Sequence, residues 1–221
     1  MRWIFVFVSL LWALPAHAAS FDCAKAGTEI EHAICNSPEL SRLDEAMAAA
    51  YRSVPKSNKY FDTLRQGQKA WLQNDRSDDV DTFEKRAKYL AAFASLANCL
   101  ATSENLEDCN SVEENALDTC MRPGHYSTYA MDTCGAAMSE AWNSILAVET
   151  DLKRKSLSDD PETLQLYDDA VWAFDMYRDA ECGWRYSEYR DGTIRGQIWF
   201  GCYLDLTSRR TISTIRENWS Y

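Results

Sequence analysis

YRDAEC, Tyr177 to Cys182, is followed about 20 residues later by GCYLDLTSRR, Gly201 to Arg210. Arg, Asp, Glu and Cys crowded together have two physical readings. In one they form an active-site strip, with acid, base and nucleophile side by side. In the other they end a helix that a disulfide, Cys182 to Cys202, staples to its neighbour. The first reading needs a base to hold Cys182 as thiolate. His32 and His125, the histidines beyond the leader, lie in other segments. The second closes a loop of about 20 residues, worth about 3 kcal/mol in the chain-entropy picture. Stapling is adopted here, with Arg178 and Asp179 as a salt-linked or capping pair near the helix end.

Compartment decides what a cysteine can do. The chain opens MRWIFVFVSLLWALPAHAAS. Arg2 gives a positive end, Trp3 to Leu14 an apolar run, and Pro15 a break. Ala16-His17-Ala18 then has the small-x-small form of a signal-peptide cleavage site. Residues 1–18 are expected to be a signal peptide cut after Ala18. A dozen or so apolar residues fall short of the roughly 20 that a spanning helix needs. The expected product is periplasmic or secreted, with no membrane span after cleavage.

Lys+Arg 23 against Asp+Glu 34 gives a net charge of −11. Removing the leader takes away one base, Arg2, and no acid, so the mature chain is more acidic still. That excludes nucleic acid, whose phosphates demand a basic face, and favours encounter with a basic partner. Beyond the leader stand Cys23, Cys35, Cys99, Cys109, Cys120, Cys134, Cys182 and Cys202. An even count in an exported chain reads as disulfides. With no C-x-x-C and two histidines left, no zinc site is expected. No other cofactor is indicated.

Apolar periodicity is helical throughout, and no period-two alternation is convincing, so the fold is read as all-α: two small disulfide-stapled helical bundles in tandem. The first module covers 19–100. Thr28 with Glu31 forms a capping box, and Ser37-Pro38 an N-cap and first-turn proline. Leu40, Leu43, Met47 and Val54 continue to Pro55. A third helix uses Phe61, Leu64, Gln68, Trp71 and Leu72, weakened by Gly67. A fourth keeps one seam through Val80, Phe83, Ala87, Leu90, Ala94 and Ala97. Residues 101–118 are acidic and read as an inter-module linker. Cys109 ties it down, to Cys99 as one choice, though Cys99 and Cys109 can each also reach back to Cys23 or Cys35. The second module, 119–221, has a long helix through Met131, Cys134, Met138, Trp142, Ile145, Glu149 and Leu152, ending at Lys153-Arg154-Lys155. Asp160-Pro161 opens the next helix, with Leu164, Tyr167, Val171, Phe174 and Arg178 on one stripe. Gly183 to Gly196 reads as a loop and Gln197 to Arg216 as the last helix.

The second module resembles the LprI-type lysozyme-inhibitor domain. The matching pieces are MDTC (Met131–Cys134), RDAEC (Arg178–Cys182) and C-x-x-x-LT-x-x-R (Cys202, Leu206, Thr207, Arg210), over roughly Cys120 to Asn218. The first module resembles the family's N-terminal form through FDCAKAGTEIEHAICNSPELSRLD (Phe21–Asp44) and QKAWL (Gln68–Leu72). It departs where the Arg-Asp-x-x-Cys element has become NDRSDD, Asn74–Asp79, and Asp79 and Glu84 stand where a second cysteine pair falls. Losing both partners together is what a structural bridge does. In the second module Phe174 stands where the family has Trp, with Trp172 nearby.

The resemblance implies lysozyme inhibition, by steric and electrostatic blocking of a muramidase cleft. Complementary charge steers an acidic protein towards a basic lysozyme. The expected contact loop is GWRYSEYRDGTIRG, carrying Trp184, Arg185, Tyr186, Tyr189 and Arg190, residue types enriched at interface hot spots. A bridge-anchored loop commonly packs down, so these aromatics are also expected to fold back over the bundle. The competing function is a periplasmic interaction, scaffold or toxin-immunity module with no lysozyme target. No catalytic carboxylate pair stands out, and the chain is expected not to be an enzyme.

Overall fold

The computed structural model describes residues 19–75 and 79–219. The expected signal peptide, 1–18, and the middle of NDRSDD lie outside them. The described residues are helical and contain no strand. In order come α1 (Glu29–Asn36), α2 (Pro38–Ser53), α3 (Phe61–Ala70), α4 (Val80–Thr102), α5 (Asp108–Met121), α6 (Thr128–Ser156), α7 (Pro161–Glu188) and α8 (Arg195–Trp219).

Local chemistry starts most of them. Thr28 Oγ1 accepts from Glu31 N–H while the Glu31 carboxylate accepts from Thr28 N–H, so the capping box forms in full. Ser37, Asp79, Ser127 and Asp160 each accept a first-turn N–H, relieving donors that a helix start leaves unpaired. Lys153, Arg154 and Lys155 occupy the last turn of α6, where the helix dipole favours positive charge.

Three elements differ from the sequence reading. α3 stops at Ala70, and Trp71–Asp75 forms a π-helical turn. The acidic stretch 101–118 carries most of α5. Its inner side carries the buried Cys109 with Val112, Ala116 and Leu117 half-buried and Glu113 turned in to Trp142, and it is pinned at both ends by Cys99–Cys109 and Cys120–Cys134. Covalent ties and a narrow apolar stripe make a helix where composition suggests a tether. α7 also runs past Gly183 to Glu188 instead of ending in a loop. An added Cβ at Gly183 would meet nothing within 4 Å. Glu181 accepts from Trp184 Nε1 at 3.0 Å and pairs with Arg185 at 2.6 Å, bracing that turn.

All eight cysteines are paired: Cys23–Cys35, Cys99–Cys109, Cys120–Cys134 and Cys182–Cys202. Each bridge joins neighbours in the chain. The alternatives in which Cys99 or Cys109 reaches back to Cys23 or Cys35 are not taken up.

A continuous core crosses between the halves. Val54, Tyr60, Leu64, Leu90, Phe93, Leu96 and Leu100 share one buried cluster with Met138, Trp142, Ile145, Leu204 and Ile215. α4 packs on α6, and α6 on α8. Close approach is possible because Gly135 lies under Phe200, whose ring carbons would stand 3.1 Å from an added Cβ. Polar bonds follow the same seam, with Tyr89 OH to Ser144 at 3.2 Å and Lys88 Nζ to Thr133 at 3.1 Å.

At one end of this seam Glu149 is fully buried. Its carboxylate meets Lys59 Nζ at 2.6 Å and accepts from Tyr60 OH at 2.6 Å and Asn218 Nδ2 at 2.9 Å. Asn58 holds the same connection to α4 by donating to Ala97 O at 3.0 Å. Breaking a buried ion pair by removing one partner costs about 3–5 kcal/mol. Here the ammonium left behind, on Lys59, is 31% exposed, while the buried Tyr60 hydroxyl loses its acceptor, so Glu149→Ala is expected to lower unfolding free energy by about 1–3 kcal/mol in urea titrations. Gly183→Ala should raise it by about 0.5–1 kcal/mol, the helix-interior gain that a loop position would not show.

Candidate partner-binding surface

The strip that opened the sequence question is part of the framework. Arg178 is nearly buried on α7 and reaches two other helices. Nη1 donates to Asn143 Oδ1 on α6 at 3.2 Å and to Thr207 Oγ1 on α8 at 3.3 Å, while Nη2 pairs with Asp175 at 2.9 Å. Its guanidinium stacks over Tyr203 at 4.2 Å and Phe174 at 5.2 Å. Asp175 is thus its main acid, and Asp179 stands off at 3.9 Å. A planar fork that bonds and stacks together is what arginine supplies and lysine does not. One turn on, Cys182 is fully buried in its bridge to Cys202.

These anchors leave most of α7 uncovered. Of its residues only Arg178 and Cys182 are buried, and it packs chiefly on α8. Leu164, Tyr167, Val171, Phe174 and Arg178 form the inner stripe, as the periodicity indicates. Leu166, Ala170, Ala173, Tyr177, Ala180 and Trp184 then line up at helical spacing on an exposed face, with Trp172 and Met176 beside them. Among the described residues, eight of the thirteen exposed large hydrophobics lie between Leu166 and Ile194. That concentration makes α7 and its turn into α8 the distinctive surface of the molecule.

The candidates from sequence all fall here, but differently from expectation. Trp184, Arg185 and Tyr186 are helical, and only Tyr189 and Arg190 belong to the turn. The aromatics do not fold back over the bundle: Trp184 is 50%, Tyr186 36% and Tyr189 43% exposed. The α7 face points them outward, because Cys182 occupies the inward position of that turn. Arg195 lies over the Tyr186 ring at 5.2 Å, and Arg190 Nε caps Ser187 O at 3.2 Å. Arg185, through its hydrogen bonds, and then Trp184 hold the Glu181 carboxyl below the usual range. Sequence reasoning did not place Leu166, Trp172, Met176 or Tyr177 on a contact surface, and did not single out Ile194 within the expected contact loop. The available signal was that α7 is apolar on more faces than one neighbour can cover.

A second feature is electrostatic. A groove of about 620 Å³ between α5 and α8 is lined by Glu107, Glu113, Glu114 and Asp205, with Arg209 and Arg216 as their cations. Arg216 bonds Glu107 and Arg209 pairs with Asp205 at 2.6 Å. Glu113 accepts from Trp142 Nε1, and burial pushes its carboxyl above the usual 4.5 despite that bond, aided by Glu114 and Asp205.

The described chain is helical, its cysteines are all spent in disulfides, and its exposed aromatics gather on one helix. The lysozyme inhibitor LprI family profile matches residues 22–114 and again 120–213. The chain belongs to that family, in two tandem copies, and the family is one of inhibitors, not enzymes. No curated protein and no solved structure matches it. Paired cysteines fit an exported protein, and among the described residues no helix is long and apolar enough to cross a membrane.

A carboxyl raised in the folded state contributes stability fully below 4.5 and loses it as pH rises through the folded value. Glu113→Gln, neutral at every pH, is expected to raise Tm at pH 7 and to flatten the loss of stability expected above pH 4.5, as read by calorimetric scans across pH.

Proposed function

We propose that this protein is a periplasmic or secreted inhibitor that binds a lysozyme-type muramidase and blocks its cleft with the outer face of α7 and the turn after it. The units in this reading are a first module, 19–100, and a second, 119–221, with the second making contact. The concentration of exposed aromatics on one helix supports it, since Trp, Tyr and Arg supply rigid contact area with donors at their edges. Net charge of −11 favours approach to a basic target.

The protein acts by occupancy and not by turnover. Cys182 is consumed in a bridge, Arg178 in a three-helix junction, and Glu181 in bracing Trp184 and Arg185. None is left to move a proton or attack a substrate.

Chain 19–221 mixed with a basic lysozyme should slow lysis of bacterial cell walls, less so as salt rises. Trp184→Ala and Tyr177→Ala should each weaken inhibition about tenfold or more, a loss of about 1.4 kcal/mol or more. Neither should shift Tm by more than about 1 °C, because both side chains are exposed. Undiminished lysis with no complex on gel filtration would remove the proposal.

A further inference from the structure

We propose that Asp44 is the seat of the α-ammonium group released when the Ala18–Ala19 peptide bond is hydrolysed, so that processing itself completes the first copy.

Asp44 lies on α2 and is 4% exposed. Among the described residues it accepts one hydrogen bond, from Ser20 N–H to Oδ2 at 2.6 Å, and makes no ion pair with Lys or Arg. A buried carboxylate matched by a single neutral donor is undercompensated, and a cation is what such a site lacks. Ala19, next to that donor, is buried as well. Its methyl belongs to the cluster of Ile30, Ile34, Leu40, Trp71 and Phe83. The start of the mature chain is therefore docked at two consecutive residues, one by apolar burial and one by a bond to Asp44.

Covalent geometry supplies the reach. One residue of chain spans at most about 3.6 Å. With Ser20 N at 2.6 Å, the Ala19 nitrogen stands within about 6 Å of the carboxylate, where opposite charges interact. Rotation about the terminal residue's own torsions closes the remainder.

The chemistry balances with water as co-reactant. A peptidase that reads Ala16-His17-Ala18 adds water across the bond. The carboxylate leaves with residues 1–18 and the amine stays on Ala19. Protonated below its ordinary pKa of about 8, that amine carries the charge Asp44 lacks. Before cleavage the same nitrogen is an uncharged amide. The first copy thus gains this ion pair only after the leader is removed.

The test uses the whole chain starting at Ala19, with and without one extra glycine ahead of it, each with Asp44 or with Asp44→Asn. The added glycine should lower Tm by about 3 °C or more with Asp44 and by less than about 1 °C with Asp44→Asn. On the unmutated chain, acylation of the α-amine at pH 7 should be about tenfold slower when folded than in urea. The intact mass of exported protein should place its first residue at Ala19. An equal glycine effect in both backgrounds, an α-amine acylated as fast folded as unfolded, or a mature chain beginning elsewhere overturns the proposal. If Asp44→Asn does not fold, the acylation rate of the unmutated chain decides.

Discussion

Glu149 is a carboxylate removed from water, and the joining of the two halves depends on its being matched. An unpaired charge in that position costs several kcal/mol. Lys59 and Tyr60 come from the α2–α3 connection, and Asn218 from the last turn of α8. Three separate pieces of chain must therefore be in place before α6 can bury this residue. Burial, and then the charge of Glu149, hold Tyr60 protonated far above the usual tyrosine range, so the phenol remains a donor. The halves are adjacent in sequence, but this junction and the shared core place them against each other.

The disulfides do different work. Each one joins chain neighbours, closing separations of 10 to 20 residues. Such bridges restrict the unfolded chain and fix local corners, and the long-range arrangement is left to side-chain packing. That explains how the first copy manages without the bridge that Cys182–Cys202 provides in the second. Its α4 is buried against α2, α5 and α6, so packing replaces the missing bond.

The same economy shapes the outer surface. Buried apolar area is concentrated on α4, α6 and α8, and α7 is attached at the margin by Arg178, Cys182 and an Arg154–Asp168 pair. A helix fixed at a few strong points keeps its remaining faces free. Its aromatics stay exposed without leaving the framework, which is the arrangement a binding protein requires. The acidic groove between α5 and α8 takes its lining from those two helices and the residue before α5, with none from α7.

Helix starts, the stapling of Cys182 to Cys202 and the family motifs were legible in the sequence, because caps, periodicity and an even cysteine count without metal-site spacing can be read from short stretches. The sequence alone therefore determined an all-α, cross-braced protein. It could not determine that α5 forms in an acidic stretch or that α7 continues through Gly183. Those outcomes depend on bridges and packing from elsewhere in the chain. Glu149 looked like one more residue of a helical stripe, and its partners stand 69 to 90 positions away. Tertiary structure alone decided which aromatics face water, since a helix with apolar residues on several sides leaves uncovered whichever side its neighbours do not reach.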